Sequence, residues 1–192
     1  MKTRDWFIFF KKNTSIKIFH INHLKLLTSI KDASLRISLS RLSKQNVIRR
    51  ICRNYYANPF HLPTLEEISA QLHQPNYISL ESALNRHGIL SQIPQILTCV
   101  TVRLPYELRT SFGTISYRQI HKKHFFGFSD QTGFALAEPE KALLDYIYLN
   151  KADLSPQLNE LKEWNLDSLK KSKIKKYAAQ MKLKLPRWLI SG

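Results

Sequence analysis

Apolar side chains recur along this chain at two spacings, and the switch between them marks out its elements. Over residues 3–13, Trp6, Phe9 and Phe10 share one face of a helix, and over Asn22–Thr28, Leu24 and Leu27 do the same. Ser29–Lys31 is a turn. Leu35, Leu39 and Leu42 then fall within a narrow sector of a third helix running to Lys44, with Asp32 standing where an N-cap belongs. The opposite side of that helix carries Arg36, Ile37, Ser40, Arg41 and Lys44. Asn46 suits a left-handed helix stop, a conformation that asparagine tolerates better than most residues. Val47, Ile48 and Ile51 read as a strand with Arg49, Arg50 and Arg53 interleaved. Asn54 serves as a hairpin turn, and Tyr55 and Tyr56 begin the return strand. Three helices followed by an arginine-bearing hairpin is the outline of a winged helix-turn-helix, in which the helix enters the major groove and the hairpin lies along the backbone. A solvated basic helix beside an ordinary hairpin is the plainer alternative, since charge runs are often just solvated.

Pro59 and Pro63 mark Asn58–Pro63 as a linker. Thr64 and Glu67 then form a capping box for a helix reaching His73. Pro75 and Asn76 break the pattern, Ser79 caps a helix over Leu80–His87, and Gly88 stops it. Ile96–Val102 is a strand rich in β-branched residues, and Gly113–Ile120 alternates apolar with polar. Phe125–Phe128 and Phe134–Leu136 are shorter strand candidates. Glu140–Leu149 is a strongly apolar helix with Leu143, Leu144, Ile147 and Tyr148 inward. Two amphipathic helices are expected from Lys151 onward, the second, Leu169–Leu183, rich in lysine.

Charge sharpens this outline. The chain has 192 residues and a formal charge of +16 at pH 7, a balance that favours a polyanionic partner, either nucleic acid or an anionic membrane surface. Residues 1–60 hold a net +11, residues 61–150 a net −1 and residues 151–192 a net +6. A neutral body between two basic ends fits a DNA-binding head better than a uniformly basic protein. Cys52 and Cys99 have neither metal-ligand nor disulfide-framework spacing, and both read as buried thiols of a reducing cytoplasm. The apolar run Trp6–Phe10 is too short for a signal segment or a transmembrane helix, so no membrane partner is expected.

Two stretches carry a more specific signal. PNYISLESALNRHGILSQIP (Pro75–Pro94) and ALAEPEKALLDYIYL (Ala135–Leu149) resemble the signature segments of the AbiEi family, and TSFGTISYRQI and HFFGF between them resemble its middle strands. The resemblance runs from about Phe19 to about Leu169. These are antitoxins and transcriptional regulators of type IV toxin–antitoxin (abortive infection) operons. The resemblance implies an N-terminal winged helix that represses its own operon, a C-terminal α/β domain, and a cognate nucleotidyltransferase-like toxin encoded next door. The family usually carries glycine where Asn46 and Asn54 stand, and asparagine adopts the same backbone at modest cost.

Candidate chemistry changes the picture little. Glu138, Glu140, Lys141 and Asp145 are the one close grouping of carboxylates with a lysine, but their spacing matches no defensible nuclease pattern, and Glu140 suits a helix start. No nucleophile elbow surrounds Ser79 or Ser82, and no glycine-rich phosphate loop is present. His20 and His23 lack a third ligand at a suitable distance. Tyr55 and Tyr56 suit a strand anchored in its core better than a base-stacking pair.

The expectation is therefore an α+β protein without catalytic residues, metal or cofactor, located in the cytoplasm. Residues 1–58 form a winged helix-turn-helix, and residues 59–192 form a mixed α/β domain with a small sheet and C-terminal helices. Double-stranded DNA of its own promoter is the expected partner. Arg36, Ser40, Arg41 and Lys44 face the major groove, and Arg49, Arg50 and Arg53 hold phosphates. The rival is a protein- or RNA-binding module that neutralises a partner toxin by direct contact.

Overall fold

A computed structural model describes residues 1–150 and 161–190. The expected helix beginning near Lys151 lies outside the described residues. The described residues are mixed α+β, with 43% helix and 23% strand. It divides into two compact units, Met1–Ile68 with Arg109–Gly113, and Ser69–Leu108 with Thr114–Gly192.

The first unit runs α1 (Thr3–Lys12), β1 (Ile18–His20), α2 (Ile21–Thr28), α3 (Asp32–Lys44), β2 (Arg49–Cys52) and β3 (Tyr55–Ala57). Its three strands lie in the order β1-β3-β2, with both neighbouring pairs antiparallel. Trp6, Phe10, Phe19, Ile21, Leu24, Leu35, Leu39, Leu42, Ile48 and Tyr56 form one core. Trp6 and Phe10 stack at 5.7 Å, and Phe19 meets Phe10 edge-on at 5.5 Å. The leucine stripe of α3 is thus inward as its spacing requires. On α2, Leu27 is exposed and Ile21 takes the second inward position instead. The helix begins at Ile21, held by the His20 ring, whose Nδ1 accepts the Asn22 N–H at 3.2 Å. Ile21 and Leu24, one turn apart, form its inner side.

Asn46 and Asn54 both adopt left-handed backbone, at φ 56° and 67°. At the first, the Val47 N–H reaches back to the Leu42 carbonyl at 2.9 Å and closes α3. Asp32 is the first residue of α3, and Lys31 stands at the N-cap. The strand after α3 begins at Arg49 rather than Val47, and a bulge falls between Arg50 and Cys52.

Asn58–Pro63 is packed onto the first unit rather than spanning freely. Asn58 is fully buried. Its side-chain N–H groups donate to the carbonyls of Phe10, Asn13 and Ile16 at 3.2, 2.9 and 3.0 Å, and its Oδ1 accepts the Phe60 N–H at 3.0 Å. These carbonyls lie at or just beyond the end of α1, where helical partners run out. The capping box follows as expected: the Thr64 N–H donates to Glu67 Oε2 at 2.9 Å and the Glu67 N–H to Thr64 Oγ1 at 3.3 Å.

The second unit is organised by a six-stranded sheet of order β6-β7-β5-β4-β9-β8. Its strands are β4 (Asn76–Ile78), β5 (Ile96–Thr101), β6 (Tyr106–Thr110), β7 (Gly113–Gln119), β8 (Phe128–Gln131) and β9 (Phe134–Ala137). The β4–β9 and β5–β7 pairs are parallel, whereas β4–β5 and β8–β9 are antiparallel. The helices are α4 (Leu65–Leu72, which crosses the division), α5 (Leu80–Arg86), α6 (Pro139–Leu149), α7 (Lys171–Met181) and α8 (Arg187–Ile190).

Helix α6 is buried all round from Glu140 to Ile147. Its polar residues face two ways. Lys141 and Asp145, one turn apart and fully buried, form an ion pair. Tyr77 and Ser79 hydroxyls both donate to Asp145 Oδ2, at 2.9 and 2.8 Å, and Lys141 Nζ donates to Tyr77 Oη at 2.9 Å. Ser79 therefore stands at the N-cap of α5, but its hydroxyl serves Asp145 and makes no capping bond. Gly127, at φ +73°, lies so close that a Cβ there would sit 3.0 Å from Lys141 Cγ.

Glu138 and Glu140 instead fasten α7. Glu140 Oε1 accepts the Lys170 N–H at 2.9 Å, and Glu138 Oε2 accepts from Lys173 Nζ at 3.0 Å and Tyr177 Oη at 2.7 Å. The Tyr177 hydrogen bond, working against partial burial and joined by the bond and charge of Lys173, holds the Glu138 carboxyl below its ordinary 4.5. A depressed carboxylate stabilises the fold above its unfolded pKa, and that contribution is lost as pH falls through the folded value. The α7 amides are expected to stay protected from hydrogen exchange down to about pH 4.5 and to lose protection below it. Tyr177→Phe should shrink that loss, because it lets the folded value rise toward 4.5 while the onset, set by the unfolded carboxyl, stays in place. A loss as large in Tyr177→Phe as in the parent would show that the Tyr177 bond is not what holds the Glu138 carboxyl down.

Candidate nucleic-acid interface

Helix α3 has 13 residues, about 20 Å of rod, enough to cross a groove some 12 Å wide. With Leu35, Leu39 and Leu42 fully buried, its other side is presented outward. Arg36, Ile37, Ser40, Arg41 and Lys44 are all exposed. Arg49, Arg50 and Arg53 on the β2–β3 hairpin are exposed as well.

The seven polar residues are not equivalent. Arg36 Nε donates to Asp32 Oδ2 at 2.9 Å, one turn back, and its Nη1 donates to Asn54 Oδ1 at 3.2 Å. It ties the start of α3 to the tip of the hairpin. The exposed ion pair within that tie is weak by itself, but the two acceptors fix where the guanidinium sits. Arg41 and Lys44 lie in the last turns of α3, where cations also suit the carbonyl end of the helix. Ser40 sits beside them on the same face.

On the hairpin, Arg49 is engaged within the first unit. Its Nη2 donates to the Ser111 carbonyl, and its guanidinium carbon lies 4.1 Å from the centre of the Phe112 ring. The Ser111 N–H donates to the Ile51 carbonyl at 3.1 Å, so residues 109–113 also bond the outer strand of the small sheet. Arg50 Nε donates to the Cys52 carbonyl at 3.2 Å, and Arg53 stands at the turn beside Asn54. Cys52 is half-buried between them, and burial raises its thiol pKa against the nearby Arg50 charge. Tyr56 is buried, and Tyr55 is half-buried with its ring 4.8 Å from that of His20. Both are strand anchors.

Two residues of this surface escape a reading by charge. Asp32 and Asn54 position Arg36, and only the Asp32–Arg36 spacing of four residues signals it. The bond to Asn54 comes from folding and has no local signal.

The Ser79, Lys141 and Asp145 grouping is closed. Both Asp145 oxygens are committed, and Lys141 Nζ lies 5.4 and 5.1 Å from the centres of the Tyr77 and Phe126 rings. Among the described residues no three His, Cys, Asp or Glu side chains are placed to hold a metal ion. Nor is any described helix long and apolar enough to cross a membrane. No protein-family model matches the chain, and no curated protein matches it.

Proposed function

We propose that the chain is a DNA-binding transcriptional repressor whose first unit is a winged helix-turn-helix, and that it acts as the antitoxin of a type IV toxin–antitoxin operon. The observation that carries the DNA-binding part is the split of α3. Three fully buried leucines anchor one side, and an exposed face of Ser40, Arg41 and Lys44 lies on the other, beside a hairpin bearing Arg50 and Arg53. The element order α1-β1-α2-α3-β2-β3 and the strand order β1-β3-β2 support reading α2 and α3 as the helix pair and β2–β3 as the wing. In this reading Arg41 and Lys44 reach base edges or phosphates from the groove, and Arg50 and Arg53 hold phosphates. Arg36 sets the angle between helix and wing.

The antitoxin part rests on the resemblance of Pro75–Pro94 and Ala135–Leu149 to the AbiEi segments. A nucleotidyltransferase-like toxin is the partner it implies.

A gel-shift titration with the protein's own upstream region tests the reading. Tighter binding to that duplex than to a scrambled one of the same composition is expected. Equal affinity for the two would rule out specific repression.

A further inference from the structure

The exposed face of α3 is not uniformly cationic. Its carboxyl-terminal half carries Ser40, Arg41 and Lys44, but its amino-terminal half presents Ala33, Ser34 and Ile37, all exposed. Ile37 is 71% exposed, one turn before Arg41 and one turn after Ala33. A single exposed isoleucine is ordinary on a protein surface. This one stands in the middle of the stripe that Arg41 and Lys44 share, on a helix whose opposite side, Leu35, Leu39 and Leu42, is fully buried.

Resting on the DNA-binding reading above, we propose that Ile37 determines sequence specificity by packing against the methyl group of a thymine in the major groove. Among the base edges in that groove, only thymine offers an apolar contact, its C5 methyl. A β-branched side chain in a helix holds essentially one rotamer, so ordering it on binding costs little. The neighbours sharpen the choice. Arg36, beside Ile37, is held by Asp32 and Asn54, which leaves the base edges opposite this turn to Ala33, Ser34 and Ile37, of which Ile37 is the one large apolar side chain. The recognised site should then be graded: thymine opposite the start of α3, and guanine or backbone phosphate opposite Arg41 and Lys44. The contact adds apolar discrimination to a surface whose charge alone would bind any duplex alike.

The experiment uses the full chain and duplexes enriched from a randomised pool. Each thymine of the enriched site is replaced in turn by deoxyuridine, which removes only the methyl group. One position, or two adjacent ones, should weaken binding about fourfold, the loss of one buried methyl. Ile37→Ala should abolish that difference while leaving the effects of substitutions opposite Arg41 in place. If the enriched site binds tightly and no deoxyuridine matters, or if the loss persists in Ile37→Ala, the inference fails and the DNA-binding reading stands. If no sequence is enriched at all, both fail.

Discussion

Replacing Lys141 by methionine is expected to destabilise the second unit by about 3–5 kcal/mol, the usual cost of leaving half of a buried ion pair behind. Asp145 would keep two hydroxyl donors, Tyr77 and Ser79, but lose the charge that opposes its own. Burial already pushes the Asp145 carboxyl up and the Lys141 ammonium down, each countered by the partner's charge. Without the lysine the carboxyl would take up a proton more readily, which limits the cost. Removing both partners tells more. An apolar pair of similar volume often matches or exceeds a buried ion pair in stability. Lys141→Met with Asp145→Leu should therefore recover part of the loss, less what Tyr77 and Ser79 forfeit as orphaned hydroxyls. Native-state hydrogen exchange of the α6 amides reads the effect in that unit alone. A drop under about 1 kcal/mol for the single change would mean that water or a rearranged neighbour satisfies Asp145.

Arg41→Ala is expected to weaken binding to the enriched duplex by roughly 5- to 150-fold, the worth of one good bidentate contact, about 1–3 kcal/mol. Its effect on a scrambled duplex should be much smaller. The hairpin should behave the other way. If about six phosphates are neutralised, log affinity falls with log salt at a slope of around −5. Arg50→Ala with Arg53→Ala should flatten that slope by about 1.8 and weaken all duplexes alike. Arg49→Ala should add less, because that guanidinium is held on the Ser111 carbonyl and the Phe112 ring. Anisotropy titrations over a salt series separate these outcomes. A slope unchanged in the double variant would place the hairpin off the backbone.

Where the determinants are local, the fold was legible. Leu35, Leu39 and Leu42 announce the inner side of α3, Asn46 and Asn54 announce two left-handed residues, and Thr64 with Glu67 announces a helix start. Gly88 ends its helix at φ +71°. Two of the three-residue strands were invisible, whereas β3 showed only because the hairpin turn at Asn54 announces it. β1 (Ile18–His20) and β4 (Asn76–Ile78) are too short to show alternation, and Pro75 beside β4 reads as a break. Leu27 was misplaced because an eight-residue helix with several leucines does not fix which side is inner. Six of the seven candidate contact residues were legible as charge, and Ser40 by its place on the same helix face. What distinguishes them was not, because Arg36 meets a residue 18 positions away and Arg49 one 62 positions away. The same distance hid the role of Ser79, whose partner Asp145 is 66 positions on.

Asn58 has a practical corollary for anyone trimming the protein. Its amide fastens carbonyls at the end of α1, and Trp6 and Phe10 of that helix sit at the centre of the first unit's core. A shortened form that starts beyond Asn13 would strip the amide of two acceptors and leave Phe19 facing a hollow. Such a fragment, though it keeps every arginine of the hairpin and all of α3, should fail as a minimal DNA-binding piece through misfolding rather than through any missing contact.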